Sequence, residues 1–455
     1  MALEAVLTVV SSMAVSTSVA LTTDSPQIPT ASVFPKWTNA NGTGRRAHRS
    51  WLVIPSTSPF LLIKVVVFAR LNKNDYICKV FQLNTLYQTQ YFVDMNTSET
   101  QNLCGLKRED FQTTINGKNT DLYILRNNQG CEVAVTNYGG AVLAIMVPDK
   151  DGNFANVIQG YPNIQEAINS RQQYLSTLIG RYGNRIAKGH FTLNGKDYDL
   201  AINNGPNSLH GGLKGWNARV WDALKMSENT LVLNYVSPYL EEGFTGEVKV
   251  TVVYTFTDEN EFTIGYMATT NKKTIVNLTH HGFFSLQGIG NPTTEITDQL
   301  CEINADFFIP IDETSIPTGE ILKVEGTPFD FRTPKLVGQD IDADDEQIRN
   351  GAGYDHCFVL NKKEEMKLTF AARLTDPKSG RTMEVLTTEP GMQVYTNNWG
   401  DGLPGPGGTT FPRRSSICFE CQHFPDSPNH PYFPSVVLRP GEQYKQKTVY
   451  KFGVV

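Results

Sequence analysis

From about residue 105 to residue 455, short apolar runs alternate with turn-forming residues. Residues 133–136 and 141–147 are apolar runs with the length of a buried strand, and Asn-Gly pairs occupy positions 116–117 and 194–195. Such a pair is a strong hairpin signal, because both central positions of a type I′ turn need positive φ. Many short strands, with a turn signal about every 8–12 residues, predict an all-β fold built as a large antiparallel β-sandwich.

Helical patterns are few along the same region. Residues 163–178 form the best helix candidate. Residues 252–257 and 262–267 flank a turn at 258–261 and predict a strand, a turn and a second strand. The alternation of strands and helices that a dinucleotide-binding fold requires is absent from the pattern.

The first part of the chain has a different pattern, which predicts a leader over residues 1–104 and one β-sandwich domain over residues 105–455. The opening stretch is mildly apolar, but Glu4 stands where a signal peptide needs a basic region. A second apolar run is interrupted by Pro55 and Pro59, which makes it a poor spanning helix. We interpret the leader as poorly ordered, and three origins stay open: a signal, a membrane anchor or a spurious extension.

Composition and charge exclude several classes of protein. Of the 455 residues, 40% are hydrophobic and 19% are charged, so the chain can bury a large core and is not disordered as a whole. The formal net charge of −6 provides no basic surface for nucleic acid or an anionic membrane. No run reaches about 18 apolar residues, which excludes a multi-span membrane protein and predicts no membrane association of the β-sandwich domain.

The cysteines and the acidic residues do not form metal or disulfide patterns. Seven scattered cysteines are too few for a disulfide framework and favour a reducing compartment, so we expect a cytoplasmic protein. Export or anchoring through the leader is the alternative. Cys418 and Cys421 lack the second pair of a zinc site. The residues Asp340, Asp342 and Asp344 lack the Gly and Glu of a calcium loop and predict a solvated acidic turn.

Polar, titratable side chains are concentrated in four otherwise strand-like segments. These are residues 180–187, 203–212, 276–286 and 417–425. In a strand, side chains alternate between faces, so His281 lies on a polar face that suits a ligand cleft. The same alternation places His280 on the apolar face, as a hydrogen-bonded core histidine. Glu420 has apolar neighbours, and a shielded carboxylate is costly unless it is paired, hydrogen-bonded or protonated.

Asp355 and Gln393 lie in two further polar segments and extend this inventory. One shielded Glu, several His, an Arg, an Asp and amides suit general acid–base catalysis on a polyhydroxylated ligand. Each residue also has a plain structural alternative: an ion pair for Glu420 and a solvated surface position for Arg185 and His210.

Six separated motifs contain these residues and occur in a fixed order. They are GRYGNRIA at 180–187, NNGPNSLHGG at 203–212, NLTHHGFFSL at 277–286, GYDH at 353–356, TTEPGMQVYT at 387–396 and a long motif at 420–444. Together they resemble the aldose 1-epimerase (galactose mutarotase) family over roughly residues 105–455. The resemblance implies a single large antiparallel β-sandwich of the galactose mutarotase type. It also implies an isomerase that interconverts the α and β anomers of free aldohexoses such as galactose and glucose, with no cofactor and no metal.

The resemblance further implies roles for individual residues. Glu420 would take the proton from the C1 hydroxyl, and His281 would protonate the ring oxygen. The residues that would hold sugar hydroxyls are Asn184, Arg185, His210, Asp355 and Gln393. The ordinary pKa values of Glu, about 4.3, and of His, about 6.5, suit these tasks. Opposite charges across a narrow cleft would support each other's charged form.

Two other functions compete with this interpretation. An epimerase of a phosphorylated hexose would need basic residues around the phosphate, and only Arg181, Arg185 and Arg219 are near the motifs. A sugar-binding protein without turnover would be favoured by loss of Glu420 or His281, and both are present. We expect a small-molecule aldose as the partner, no nucleic acid, and a monomer.

Three positions depart from the residues that are usual in the family. His280 replaces Asn, Gly183 replaces Ala, and Cys421 replaces Thr. His280 stands next to the expected acid and could alter its hydrogen bonding. Alternation directs Cys421 away from the cleft. None of the three changes removes a group with an implied catalytic role.

Overall fold

The structure is a computed structural model and describes residues 102–290 and 295–455, together with the backbone of three strands nearer the N-terminus. The chain divides into two units, residues 1–98 and residues 99–455. In the first unit an antiparallel sheet is formed by Thr17–Ala20, Lys64–Asn72 and Asp75–Gln82. Most of the leader predicted at residues 1–104 lies outside the described residues, so its order and its origin stay predictions.

Nine of the described strands form one sheet, which we call the long sheet. In sheet order they are Asp222–Ser227, Thr230–Ser237, Val248–Phe256, Glu261–Thr270, Tyr444–Val454, Arg381–Thr387, Thr369–Thr375, Leu300–Ile303 and Lys335–Leu336. Val248–Phe256 alternates between buried and partly exposed positions, as a strand with one covered face does. Its pairing with Glu261–Thr270 confirms the strand, turn and strand predicted at residues 252–267.

Six of the described strands form a second antiparallel sheet, which we call the site sheet. In sheet order they are Phe283–Phe284, Ile417–Gln422, Gly391–Tyr395, Asp355–Val359, Phe307–Ile309 and Leu322–Lys323. Every residue of Ile417–Gln422 and of Gly391–Tyr395 is buried. Because successive side chains point to opposite faces, both faces of these strands are covered.

The main hydrophobic core lies between the long sheet and the site sheet. The hydroxyl of Tyr450, on the long sheet, donates to the carbonyl oxygen of Phe419 on the site sheet at 3.0 Å. The ring of Tyr450 also lies 4.8 Å from the ring of Phe284. Two antiparallel sheets that pack face to face over one apolar core are a β-sandwich, which confirms the predicted fold class.

Smaller antiparallel sheets complete the described part of the domain. A four-stranded sheet contains Leu122–Arg126, Glu132–Thr136, Val142–Pro148 and Phe154–Asn156. The two-stranded sheets pair Thr114–Ile115 with Lys118–Asn119, Leu178–Ile179 with Thr279–His280, Arg185–Ile186 with Ser208–Leu209, His190–Leu193 with Lys196–Asp199, Thr274–Ile275 with Val437–Leu438, and Asp401–Pro404 with Thr410–Pro412. Both predicted Asn-Gly hairpins are confirmed, with φ of 51° and 77° at Asn116 and Gly117 and of 55° and 68° at Asn194 and Gly195.

The α-helices in the described residues are short, Ile164–Asn169 and Glu346–Gly351. The helix predicted over residues 163–178 is therefore wrong beyond residue 169. Asn163 caps it by accepting from Glu166 N, but Leu178–Ile179 pairs with Thr279–His280 and must be extended. Short 3₁₀ helices lie at Arg108–Phe111, Ala187–Gly189, Trp216–Ala218, Glu241–Gly243, Ile296–Asp298, Pro406–Gly408 and Ser427–Asn429. No helix of the described residues has the length and apolarity needed to cross a membrane.

The acidic turn predicted at residues 340–344 is held by ion pairs. Its pairs are Asp340 with Lys335, Asp342 with Arg414, and Asp344 with Arg349. The next residue, Asp345, caps the helix Glu346–Gly351 by accepting from Gln347 N at 2.8 Å. These partners account for the local cluster of carboxylates.

Candidate active site

One face of the site sheet carries three of the predicted site residues. Gln393 lies opposite Glu420 in the strand register, and Cys357 lies opposite Gln393 on the other side. Asp355 is two residues from Cys357 in the same strand, so it shares that face. Glu420 is 2% exposed, Gln393 2% and Asp355 7%. Alternation therefore gathers two carboxyl groups and an amide on one buried surface.

His281 reaches this surface from a neighbouring segment. Its backbone N–H donates to Thr177 O at 3.0 Å, and its carbonyl oxygen accepts from Ser176 N at 3.1 Å. The adjacent His280 points into the core, where its Nε2 lies 3.0 Å from Ser176 O. The predictions for both residues are confirmed: His280 is a hydrogen-bonded core histidine, and His281 lies on the polar face.

Asn184 and His210 form a further wall and have unusual backbone conformations. They flank the short ladder of Arg185–Ile186 with Ser208–Leu209, and their φ values are 65° and 50°. Few residues other than glycine adopt such values, and strain of this kind is concentrated at functional sites. His210 N donates to Asn184 O at 3.1 Å, and Asn184 N donates to His210 Nδ1 at 3.1 Å. This reciprocal pair fixes the imidazole ring of His210.

Charged and polar side chains from these walls meet at short distances. His281 Nε2 lies 3.5 Å from Glu420 Oε1. Gln393 Nε2 donates to Asp355 Oδ1 at 2.8 Å, and Arg185 Nη1 lies 3.5 Å from Asp355 Oδ2. The Glu420 and His281 side chains are 2% and 7% exposed, so they interact in a shielded environment.

His210 completes this group beside His281. The two imidazole rings lie 5.2 Å apart at an interplanar angle of 73°. One polar atom from each of His210, His281 and Glu420 lies within 4.8 Å of the others. The structure brings together six predicted side chains and the backbone of Asn184, whose side-chain Oδ1 accepts from Arg185 N at 2.8 Å. The six are Arg185, His210, His281, Asp355, Gln393 and Glu420.

Burial controls the protonation of Glu420 and His281. Burial, helped by the nearby Asp355, raises the pKa of Glu420 well above its usual range, although Arg185 opposes the shift. Burial also lowers the pKa of His281 to about 3. Desolvation opposes the charged form of both groups, in the direction opposite to the mutual support that the sequence analysis expects. Both shifts favour a protonated Glu420 beside a neutral His281 in the free protein.

His210 is fixed in one tautomer by its backbone partner. Because Asn184 N–H donates to Nδ1, the hydrogen of the neutral ring lies on Nε2. Burial, with the nearby His281 and Arg185, lowers the pKa of His210 well below its usual range, so the ring stays neutral. A metal held by His210, His281 and Glu420 would need a free lone pair on His210, and both of its nitrogens are occupied. This His therefore suits donation to a ligand hydroxyl.

An aromatic wall around the two histidines was not predicted in full. Tyr174 lies with its ring 4.6 Å from the ring of His210 and 6.3 Å from that of His281. Phe283 stacks on His281 at 4.7 Å and 13°, and the ring of Tyr395 lies 6.0 Å away. Alternation places Phe283 on the face of His281, but Tyr174 belongs to the segment that was expected to be helical. No sequence signal links it to the site.

The other two arginines considered for phosphate recognition, Arg181 and Arg219, are engaged with groups outside the predicted site. Arg181 is buried, and its Nη1 donates to the carbonyl oxygens of Thr245 at 2.6 Å and Gly246 at 2.8 Å. Arg219 Nη2 lies 3.0 Å from Glu241 Oε1. Only one of the three arginines considered for phosphate recognition therefore lies in the cleft.

The two cysteines beside Glu420 lie on opposite faces of their strand. Cys421 belongs to the main core, as alternation predicts, and Cys418 packs in a second apolar cluster with Phe283 and Tyr395. The replacement of the family's usual residue by Cys421 is thus remote from the polar face of the site.

Comparison with known proteins identifies the family that the six motifs resemble. A family model described as aldose 1-epimerase matches residues 121–451. Among curated proteins, the galactose mutarotase of Bos taurus is 44% identical over 323 residues, which cover 71% of this chain and 91% of the relative. The aldose 1-epimerase of Escherichia coli (strain K12) is 35% identical over 333 residues, which cover 73% of this chain and 94% of that protein.

Solved structures agree on the fold. An aldose epimerase homologue from C. elegans has a TM-score of 0.68 and 28% identity, covering 74% of this chain and 99% of that one. A galactose 1-epimerase from Lactobacillus acidophilus has a TM-score of 0.65 and 27% identity, with coverage of 75% and 97%.

Proposed function

The chain belongs to the aldose 1-epimerase family, and we propose that it interconverts the α and β anomers of free aldohexoses such as galactose and glucose. It is an isomerase of aldoses. The observation that carries the proposal is the buried Glu420–His281 pair, with 3.5 Å between carboxyl oxygen and imidazole nitrogen. Galactose is the sugar in the name of the bovine relative.

Ring opening requires a base at the C1 hydroxyl and an acid at the ring oxygen. We assign the base to Glu420 and the acid to His281. The carboxylate takes the proton of the C1 hydroxyl, the freed electron pair forms the C1 carbonyl, and the C1–O5 bond breaks as O5 receives the proton from His281. Rotation about C1–C2 presents the other face of the carbonyl, and the reverse transfers close the ring as the other anomer.

A single proton shared by the pair is enough for the whole cycle. His281 carries a proton before ring opening and gives it to O5, Glu420 carries the proton of the C1 hydroxyl while the sugar is open, and closure returns a proton to His281, so the pair holds one proton at every stage. The shifted pKa values leave this proton on Glu420 in the free enzyme, which is the state that matches the open-chain sugar. Sugar hydroxyls that donate to the Glu420 carboxylate favour its charged form and so the transfer of the proton to His281.

Substrate positioning follows from the remaining groups of the cleft. Arg185 offers guanidinium donors, Asp355 accepts, and Gln393 orients Asp355 through its 2.8 Å hydrogen bond. His210 donates through Nε2–H, and Asn184 holds that tautomer through its backbone amide. Such fixed groups keep C1 and O5 near the acid and the base, which is a large part of catalysis by orientation.

The competing functions have less support in the geometry. A phosphorylated hexose would need several cations, and Arg181 and Arg219 are engaged elsewhere. A binding protein without turnover would not need an acid and a base in contact. The proposed reaction consists of proton transfers within the cleft and involves no cofactor. We further propose a monomer in the cytoplasm, where the free thiols of the described residues would stay reduced.

The test is the optical rotation of freshly dissolved α-D-galactose and α-D-glucose with the purified full chain. Acceleration over buffer is expected for both sugars, and their relative rates rank them. In Glu420→Gln we expect turnover to fall about 10²- to 10⁴-fold, while sugar binding measured by calorimetry persists. Glu259→Gln, at an exposed turn of the long sheet, is the matched control and should keep the full rate.

Two outcomes would contradict the proposal. A folded wild-type protein that binds galactose without accelerating its mutarotation would indicate a binding protein. A Glu420→Gln variant with the wild-type rate would refute the assignment of the base while leaving the reaction itself established.

A further inference from the structure

Tyr174 is tied to the backbone that positions His281. Ser176 N donates to His281 O at 3.1 Å, and His281 N donates to Thr177 O at 3.0 Å. Ser176 and Thr177 are buried, whereas Tyr174 is partly exposed. The position of Tyr174 is thus fixed relative to the proposed acid, while its side chain keeps an accessible surface.

The ring of Tyr174 borders both histidines of the cleft. It meets the ring of His210 at 4.6 Å and 62°, and it lies nearly parallel to the ring of His281 at 6.3 Å and 15°. Both histidines contact the sugar in the proposed mechanism. A pyranose bound by both histidines therefore lies within reach of the Tyr174 side chain.

The hydroxyl of Tyr174 has hydrogen-bonding capacity to spare. Among the described residues its polar contact is Asn203 Nδ2 at 3.4 Å. That nitrogen also donates to Leu209 O at 3.0 Å and to Gly212 O at 2.9 Å, and these shorter bonds use its two hydrogens. Burial raises the pKa of Tyr174 to about 12, so the hydroxyl keeps its hydrogen at neutral pH. Both a donor and an acceptor are left for a ligand.

We propose that Tyr174 determines sugar specificity: its hydroxyl forms a hydrogen bond with one pyranose hydroxyl other than that at C1. The inference rests on the proposed function and adds a residue to the sugar contacts. It gives Tyr174 no part in the proton transfers, which Glu420 and His281 perform. A contact of this kind discriminates between sugars that differ in one hydroxyl, because the analogue without it leaves a polar group unpaired.

Tyr174→Phe tests the contact because it keeps the ring and removes the hydroxyl. The kcat/KM of mutarotation is measured by polarimetry for glucose and for its 2-, 3-, 4- and 6-deoxy forms. We expect Tyr174→Phe to lower kcat/KM for glucose roughly 3- to 10-fold, the value of one neutral hydrogen bond. For the one deoxy sugar that lacks the partner hydroxyl, variant and wild type should be equal. An unchanged rate with glucose, or the same loss with every deoxy sugar, would overturn the proposal.

The pH profile separates contact with the sugar from an effect on the histidines. Tyr174→Phe keeps the aromatic ring against His281, so its profile should coincide with that of the wild type. Tyr174→Ala removes the ring, lessens the burial of His281 and should move the profile to higher pH. A profile shifted by Tyr174→Phe would mean that the hydroxyl acts through the histidines, and it would refute the proposed sugar contact.

Two controls keep this test independent of the proposed function. Tyr123→Phe, at a partly buried tyrosine of the four-stranded sheet, should leave every rate unchanged. Thermal unfolding of each variant verifies folding. Wild-type protein without mutarotase activity would defeat the proposed function, whereas active wild type with an equally active Tyr174→Phe would defeat only the assignment of Tyr174.

Discussion

His280 and His281 are adjacent in the chain, but their imidazole rings lie in different surroundings. The ring of His280 is in the core, 6.3 Å from the ring of Tyr254, and the ring of His281 is beside the cleft, 4.7 Å from that of Phe283. The alternation of a strand separates them. The two residues have the same titratable side chain, but of the two it is His281 that lies near Glu420.

Substitution of each histidine by Asn should therefore have very different effects. His281→Asn removes the proposed acid, and we expect kcat to fall about 10²- to 10⁴-fold. His280→Asn puts the residue usual in the family at a core position and should keep kcat within about threefold. Polarimetry with galactose measures both, and thermal unfolding shows that each variant folds. Equal losses in the two variants would mean that the wall is disturbed as a whole and would contradict the distinct role of His281.

The charges beside the proposed acid and base, His281 and Glu420, should move the pH profile of activity in opposite directions. The pair gains a second proton at low pH and loses its only proton at high pH, which gives a bell-shaped profile for kcat/KM. Asp355 raises the pKa of Glu420, and Arg185 lowers the pKa of both Glu420 and His281. Asp355→Asn should therefore shift the profile to lower pH, and Arg185→Gln should shift it to higher pH.

The positions of the two limbs, rather than the absolute rates, are the readout of this experiment. Both variants also lose a proposed sugar contact, so lower kcat/KM values are expected throughout. Shifts of the same sign in Asp355→Asn and Arg185→Gln would show that neighbouring charge does not control the pair. Lys367→Gln, an exchange of a surface cation that pairs with Glu364, serves as the control and should leave the profile in place.

The faces of the strands could be predicted from sequence because the period of a strand is fixed at two residues. This rule placed His281 and Phe283 on one face and His280 on the other, and it separated Glu420 from Cys421. Six motifs in one order added the roles of the site residues through a family resemblance. Both kinds of information are local to a segment or shared with relatives, so they can be read without coordinates.

The features that the sequence did not predict depend on contacts between segments. The pKa shifts of Glu420 and His281 follow from burial by several walls at once. The tautomer of His210 follows from a backbone amide 26 residues away in the chain. Tyr174 follows helix Ile164–Asn169, in a stretch where the apolar pattern continues but the backbone becomes extended, because Leu178–Ile179 pairs with Thr279–His280. The periodicity of residues within one segment does not show which other segments contact it, so it predicts neither the pKa shifts, nor the tautomer, nor the position of Tyr174.

Acid should destabilise the fold because several histidines are buried without charge. The pKa of His280 is lowered to about 4 by burial, and that of His356 to about 3. Both lie below the value of about 6.5 for an unfolded chain. The unfolded state thus binds more protons, so their stabilising contribution is complete above about pH 6.5 and is lost as the pH falls toward 4.

Each such histidine contributes a slope of up to about 1.4 kcal/mol per pH unit in that window. Denaturant unfolding between pH 7 and 4.5 should show a decreasing free energy of unfolding for the wild type. His280→Asn should have a shallower slope, by about one histidine, even if its stability at pH 7 is lower. Parallel curves for wild type and His280→Asn would show that the pKa of this residue does not change on folding.

A pair of Gly→Ala variants tests how closely the loop of His210 packs on the neighbouring motif. Gly211 has φ of 86°, and a Cβ there would overlap the carbonyl oxygen of Gly180, which is backbone and cannot move aside cheaply. Gly211→Ala should therefore lower the free energy of unfolding by more than about 2 kcal/mol and impair sugar binding by displacing His210.

Gly183→Ala introduces the family's usual residue, has no positive φ to satisfy, and places its Cβ 3.1 Å from Thr279 Cγ2. The Cβ also lies 3.2 Å from Gln422 Oε1 and 3.3 Å from Asn277 O, so shifts of a few tenths of an ångström accommodate it, and we expect a change within about 1 kcal/mol and nearly normal activity. Urea unfolding and polarimetry measure both variants, and a Gly211→Ala protein as stable and active as Gly183→Ala would contradict the close contact between the two loops.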